Sequence, residues 1–267
     1  MSQTSPSAPN APLLLRDDSG GVTTLTLNRP TARNALSHDL MKRLIDALRS
    51  VGEDPSVRVV VIAGAGPAFC AGHDLREIRA HGGEAYFNEL FATCSELMLA
   101  ITHLPKPVIA RVHGMATAAG CQLVASCDLA VAAASAKFAT PGVNIGLFCS
   151  TPMVAVSRKV GRKAMMEMLL LGEPVAAADA ERLGLINACV DDDALDHAVA
   201  EMAAKIVAKS AATVRIGKEA FYRQADMSLE DAYAYCSAVM TRNMLLEDAA
   251  EGIDAFLEKR DPEWRDR

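Results

Sequence analysis

Residues 57–62 read Val-Arg-Val-Val-Val-Ile, an apolar run broken only by Arg58. A half-buried strand alternates polar and apolar residues; a run without alternation must be covered on both faces, as an inner strand of a helix-flanked parallel sheet is. Similar runs follow at Pro107–Val112 and Asp128–Ala132, each after a helical stretch, Glu84–His103 and Ala116–Cys127 respectively. Upstream, Leu13–Arg16 and Val22–Leu27 alternate around Asp18-Ser19-Gly20-Gly21, a hairpin signal. Ser37 is placed to N-cap a helix carrying Leu40, Leu44, Ile45 and Leu48 on one face, and Asp54-Pro55 ends it. A loop is expected at Lys137–Gly146 and a further strand near Ile186–Val190. Strands alternating with helices define an α/β protein. Recurrence at intervals of roughly 20–50 residues predicts a spiral of repeated units.

From Asp193 onward the pattern is helical, over 192–210, 213–225, 228–243 and 245–260. The last stretch carries Leu245, Leu246, Ala249, Ile253 and Phe256 as an apolar stripe, which must be buried on its own domain or on a second copy. The expected organisation is a disordered tail at 1–12, a core at 13–200 and a C-terminal helical region at 201–267.

Composition narrows the function. With 33 acidic and 27 basic residues the net charge is −6, against the electrostatic attraction that nucleic-acid binding requires. Any anionic ligand would have to be met by a local cluster of basic side chains. Seven cysteines without a C-x-x-C pair read as thiols of a reducing compartment, and no histidine pair has metal-ligand spacing. The opening MSQTSPSAPNAP has neither the apolar run of a secretory signal nor presequence arginines, so a cytoplasmic location is expected. No charge-free apolar stretch approaches the roughly 18 residues of a membrane span.

Two segments carry the chemistry. Val61–Leu75 and Ile109–Leu123 each run from a strand through small residues into a helix. Small residues let a ligand approach the main chain, and a helix start leaves N–H groups unpaired. Two such loops converging would form a two-donor oxyanion site; separately, each is an ordinary tight connection. No dinucleotide fingerprint, phosphate loop or Gly-x-Ser-x-Gly elbow is present.

The motifs Asn28-Arg29-Pro30, Asn34-Ala35-Leu36, Phe69-Cys70-Ala71-Gly72-His73-Asp74-Leu75, Lys106–Ala110, Gly120-Cys121-Gln122-Leu123, Cys127-Asp128-Leu129-Ala130 and Phe256–Arg260 occur in order. Together they resemble the enoyl-CoA hydratase/isomerase (crotonase) superfamily from about residue 13 to 262. Ala116–Gln122 and Thr140–Thr151 are closer still to one subgroup of it. The resemblance implies a crotonase-like spiral of ββα units with a C-terminal helical region, a homotrimer or dimer of trimers, and an acyl-CoA substrate. Coenzyme A would enter as part of that substrate, with no separate cofactor or metal. The resemblance places the oxyanion donors on the backbone of His73 and Ala119, and substrate contacts on Arg33, Ala71, His73, Asp74, Leu75, Arg76, Ala119, Gly142 and Lys259. For Arg33, Arg76 and Lys259 a solvated surface charge is the competing reading.

At two places the chain departs from the family pattern. Hydratases of this kind pin a water between two glutamates, whose positions hold Gln122 and Gly142 here. An amide orients water without exchanging its proton, and each lost acid or base costs about 100- to 10,000-fold in rate. Some relatives carry an acid eight residues further on, where Ser150 stands. Remaining candidates are His73, Asp74, Asn144, Cys149 and Ser150; in the structural alternative Cys149 is a buried small residue and Ser150 caps a helix. Three functions stay open: an enolate-forming acyl-CoA enzyme, a non-catalytic acyl-CoA binder, and a thioesterase with His73 as base and Cys149 or Ser150 as nucleophile.

Overall fold

The computed structural model describes residues 11–267. Most of the tail expected at 1–12 lies outside the described residues, but Pro12 is tied down, its carbonyl accepting from Asn28 Nδ2 at 2.8 Å.

The hairpin comes first, β1 (Leu14–Ser19) pairing antiparallel with β2 (Val22–Leu27) in a register that sets Ser19 opposite Val22. Only Gly20 and Gly21 form the turn, both at positive φ, so Asp18 and Ser19 belong to the strand and not to the turn expected of them. Then come α1 (His38–Glu53), β3 (Val59–Gly64), β4 (Ala68–Cys70), α2 (Leu75–His81) and α3 (Glu84–His103). The next unit is β5 (Val108–Val112), β6 (Met115–Thr117) and α4 (Ala119–Ser126), followed by β7 (Leu129–Ala133) and β8 (Lys137–Ala139). After a 3-10 turn at Pro141–Ile145 come α5 (Ser150–Val156), α6 (Arg162–Leu171), β9 (Val175–Ala176), α7 (Ala177–Arg182) and β10 (Ala188–Val190). Four helices complete the chain: α8 (Leu195–Val207), α9 (Ala211–Gln224), α10 (Leu229–Met244) and α11 (Glu247–Glu258). Ser37 caps α1 as expected, its hydroxyl accepting from the Leu40 N–H.

Two sheets result, ordered β1-β2-β3-β5-β7-β10 and β4-β6-β8-β9. Three successive units, β3–β4, β5–β6 and β7–β8, each place their first strand in the large sheet and their second in the small one, and helices follow each pair. This is the ββα spiral of the crotonase fold. The second sheet corrects the sequence reading: a helix is expected from Ala116 and a loop from Lys137, yet Met115–Thr117 and Lys137–Ala139 are strands. Strands of three residues are too short to show a period.

The inner strands are covered on both faces, as their composition demanded. Val59, Val61, Ile109 and Val131 pack against Leu195, Val199 and Ala203 of α8. Val60, Ile62, Val108 and Ala110 face the main core with Leu44, Leu48, Leu97 and Ile101 of α1 and α3. The boundary drawn at residue 200 therefore falls inside α8, which belongs to the core because it closes one face of the sheet.

One polar cluster fastens α9 to that core. Buried Lys218 Nζ donates to Asp128 Oδ2 at 2.7 Å and to the carbonyls of Ile101 and Lys106, both at 2.9 Å. Asp128 also accepts from the Val108 N–H and the Tyr222 hydroxyl. Burial lowers the Lys218 pKa, with Asp128 opposing the shift. Removing one partner strands the other charge away from water, at about 3–5 kcal/mol. Asp128→Ala should therefore lower the unfolding free energy in urea by that amount, and Tyr222→Phe by less; equal small effects would show the pair to be incidental.

Candidate active site

β4, β6 and β8 lie side by side and parallel, so their C-terminal ends open on one edge of the small sheet. There the chain continues as Ala71-Gly72-His73, Ala118-Ala119-Gly120 and Thr140-Pro141-Gly142. Ligands of parallel sheets bind outside such ends, where loops are free to carry chemistry. The absence of side chains draws the first two ends together. A Cβ on Gly72 would stand 3.0 Å from the Thr117 carbonyl oxygen and 3.4 Å from the Ala119 nitrogen. One on Gly120 would collide with the Cys70 carbonyl. The two small-residue loops do converge.

Hydrogen bonding decides which donors remain. His73 bridges Leu36 in parallel, with the Leu36 N–H donating to Gly72 O at 2.7 Å and the Asp74 N–H to Leu36 O at 3.2 Å. A parallel bridge of this kind uses residues 72 and 74, leaving the His73 N–H turned away from it. The Ala118 N–H donates to Ala139 O at 2.9 Å, whereas Ala119 begins α4 and has no partner inside that helix. Ala118 holds φ 49° and ψ −118°, a conformation that costs a non-glycine residue about 1–3 kcal/mol.

The side chains around these donors are mainly neutral. The His73 ring packs edge-to-face on Phe91 of α3, centroids 5.7 Å apart, and both its nitrogens are buried without a partner. Burial pushes its pKa down to about 4; the nearby Leu36 backbone opposes the shift but stands short of hydrogen-bonding geometry. Gln122 is buried in α4, its Oε1 3.9 Å from the Cys94 thiol. Cys149 Sγ accepts from the Gly142 N–H at 3.4 Å, and burial raises its pKa. A Cβ on Gly142 would lie 3.0 Å from that sulfur and from Leu147 O, so Cys149 fills the space a longer side chain at 142 would need.

Other expected residues are placed differently. Asp74 is committed to structure: Oδ1 caps α2 through the N–H groups of Arg76 and Glu77, and Oδ2 pairs with Arg29 at 2.8 Å. Burial works against its charge, yet Arg29 and the capping N–H groups outweigh it and hold the pKa below the usual range. Ala71 borders the loop, its N–H donating to the Arg33 carbonyl at 3.0 Å, while the Arg33, Leu75 and Arg76 side chains are exposed. Lys259 is the C-cap of α11, which packs on α9 and α10. Ser150 does not cap its helix: α5 begins at Ser150 itself, Cys149 is the capping residue, and the exposed Ser150 Oγ reaches only Phe148 O at 3.4 Å. Asn144 is turned to the Gly172 carbonyl. His73 is hydrogen-bonded to neither Cys149 nor Ser150, so the base–nucleophile pair of a thioesterase is not assembled.

Sequence reasoning missed Arg29, Phe91 and Thr140. Arg29 and Thr140 lie inside quoted motifs, whereas no local signal marks Phe91. Two surface hollows lie elsewhere, one of about 770 Å³ between α1 and α3 along Leu48, Gly52, Ser95 and Leu99, another of about 460 Å³ beside Glu247 and Arg260. The three strand ends border neither.

The enoyl-CoA hydratase/isomerase family model matches residues 17–267, and the chain belongs to that family. Within it, the chain is similar to enoyl-CoA hydratase domain-containing protein 3, mitochondrial, of Rattus norvegicus, at 46% identity over 91% of this chain and 81% of that protein. The crystal structure of the human protein of that name superposes with a TM-score of 0.92 at 44% identity, covering 95% of this chain and 100% of the other. An enoyl-CoA hydratase structure from Mycobacterium smegmatis superposes at 0.94 with 58% identity, covering 95% and 99%.

The His73 environment has a pH consequence. A histidine held near 4 in the fold and near 6.5 when unfolded takes up its proton first in the unfolded chain. Its contribution is present above about 6.5 and is lost as pH falls toward 4. His73→Phe should flatten the stability loss across that window in urea titrations; an unchanged slope would place the shift elsewhere.

Proposed function

We propose that this chain binds an acyl-coenzyme A thioester and stabilises the oxyanion of its enolate with the main-chain N–H groups of His73 and Ala119. The approach of Gly72 to Thr117–Ala119 carries this reading, because it sets two loops with unpaired donors side by side. Donors fixed in place before the reaction contribute about 2.7–4 kcal/mol each to a transition state of this type. Membership of the enoyl-CoA hydratase/isomerase family supports a lyase or isomerase reaction. Ordinary hydration is disfavoured, since Gln122 and Gly142 provide neither an acid nor a base. The exposed side chains of Arg33, Leu75 and Arg76, at the rim of the first loop, suit the remainder of coenzyme A. A second reading, an acyl-CoA binder without turnover, is favoured by the same missing carboxylates.

The site is proposed to work in a homotrimer or dimer of trimers. In one chain Leu245, Phe256 and Leu257 are 81%, 83% and 72% exposed, so the C-terminal helices offer an apolar surface that association would cover. Among the described residues no helix is long and apolar enough to cross a membrane. All seven cysteines are unpaired, which suits the cytoplasmic location expected here, although the similar rat protein is named mitochondrial.

Assay of the purified protein against a panel of enoyl- and acyl-CoA esters should reveal turnover of at least one; binding without any turnover would favour the second reading. Crotonyl-CoA hydration should remain low in Gln122→Glu/Gly142→Glu and rise about 100-fold or more when Cys149→Ala is added, since the thiol occupies the space for the second carboxylate. Full hydration by the double variant would refute that steric argument. In sedimentation velocity at micromolar concentration the protein should run as three or six copies of the 28.3 kDa chain; a monomer would refute the assembly.

A further inference from the structure

β4 is an edge strand of the small sheet, paired to β6 through Ala68 and Cys70. Past Cys70 the first loop is held by another stretch, residues 29–36 between β2 and α1. The Ala71 N–H donates to Arg33 O at 3.0 Å, the Leu36 N–H to Gly72 O at 2.7 Å and the Asp74 N–H to Leu36 O at 3.2 Å. The second of these bonds sets a direction. In a planar trans peptide the carbonyl and the following N–H point opposite ways. With Gly72 O turned to Leu36, the His73 N–H is turned away from it.

Leu36 is placed in turn by Asn34, whose side chain is wholly buried. Both ends of its amide are engaged: Oδ1 accepts from the Arg29 N–H at 2.9 Å, and Nδ2 donates to the carbonyls of Ala65 and Ala68, each at 2.8 Å. Those carbonyls belong to the connection from β3 into β4, so one side chain pins residues 29–36 to the strand that the first loop leaves. The slot is tight, since a Cβ on Gly64 would stand 2.9 Å from Nδ2. Arg33 and Asn34 hold φ at 50° and 55°, a region that a short amide side chain enters more readily than most. Aspartate could not substitute, because it only accepts and would set its charge against two carbonyl oxygens.

We infer that Asn34 is a positioning residue, which fixes residues 33–36 and, through the bond from Leu36 to Gly72, aims the proposed His73 donor from a buried place. The inference rests on the oxyanion reading above and assigns a further residue to that same site. Ala119 is held separately, through the bond from Ala118 to Ala139. Loss of the Asn34 amide therefore misdirects one donor and spares the other.

Acetoacetyl-CoA is the probe, since it loses an α-proton to solvent and its enolate absorbs in the near ultraviolet. With protein in excess, the unmodified chain should hold a larger enolate fraction than free solution at the same pH. Asn34→Gly keeps the left-handed backbone accessible and removes the amide. It should lower the bound enolate-to-keto ratio about 10-fold, less than the 100-fold or more that loss of a whole donor costs in rate. Its affinity for butyryl-CoA should change by less than about 3-fold, because a neutral carbonyl draws on the donor less than an enolate does. Asp128→Ala, which weakens the fold at the far end of α4 from Ala119, should leave the ratio unchanged and so separates aim from stability. Arg29→Gln frees Ala35 and Asp74 from the same stretch and should lower the ratio in the same direction; it decides the question if Asn34→Gly does not fold. A ratio unchanged in Asn34→Gly, or in Arg29→Gln where only that variant folds, overturns this inference and leaves the oxyanion reading standing. So does an equal fall in Asp128→Ala. An enolate fraction no larger on the unmodified protein than in solution overturns the oxyanion reading and this inference with it.

Discussion

Main chain lies against main chain where β4 and β6 end, and everything proposed for this protein depends on that contact. Gly120 has no room for a side chain beside the Cys70 carbonyl, and Gly72 is close to the Ala119 nitrogen. Such an approach fixes donors through the backbone, whose position is set by the sheet and the start of α4. The identity of the side chain at 73 is thereby freed from the task of making an oxyanion site. In the proposed reading the imidazole at 73 can therefore stand beside the site without supplying its donor.

The electrostatics follow the same division. Charges near the site are consumed in architecture: Arg29 and Asp74 neutralise each other while bracing the first loop against α2. The buried side chains of the elements that carry these loops are neutral, namely the Gln122 amide, the Cys149 thiol and a His73 imidazole kept uncharged by burial. Preorganised dipoles are well suited to stabilising charge that appears only during reaction, because they need not reorganise when it does. They are poorly suited to moving protons, and Gln122 and Gly142 add neither an acid nor a base for that task.

Much of this was legible in advance, for identifiable reasons. Val57–Ile62 announced an inner strand, found at Val59–Gly64, because the run lacks alternation, and Ser37 announced a helix start because its hydroxyl is the right acceptor. The small sheet was invisible, since Ala68–Cys70, Met115–Thr117 and Lys137–Ala139 are too short to display a period and two of them abut helices or turns. In the site, the two loops could be identified from their small residues and from family resemblance. The commitment of Asp74 to Arg29, the wall formed by Phe91 and the unpaired hydroxyl of Thr140 depend on contacts across 18 to 45 positions or more, or on burial, which local patterns do not encode.

The backbone of Ala118 has a further meaning. Its unfavourable torsion persists because its N–H is held by Ala139 and its carbonyl accepts from the Gln122 N–H, so β8 and α4 together keep it wound. The direction of the Ala119 amide is thus tied to the pairing of β6 with β8, so a site proposed to use that amide is built on the small sheet and not on the large one.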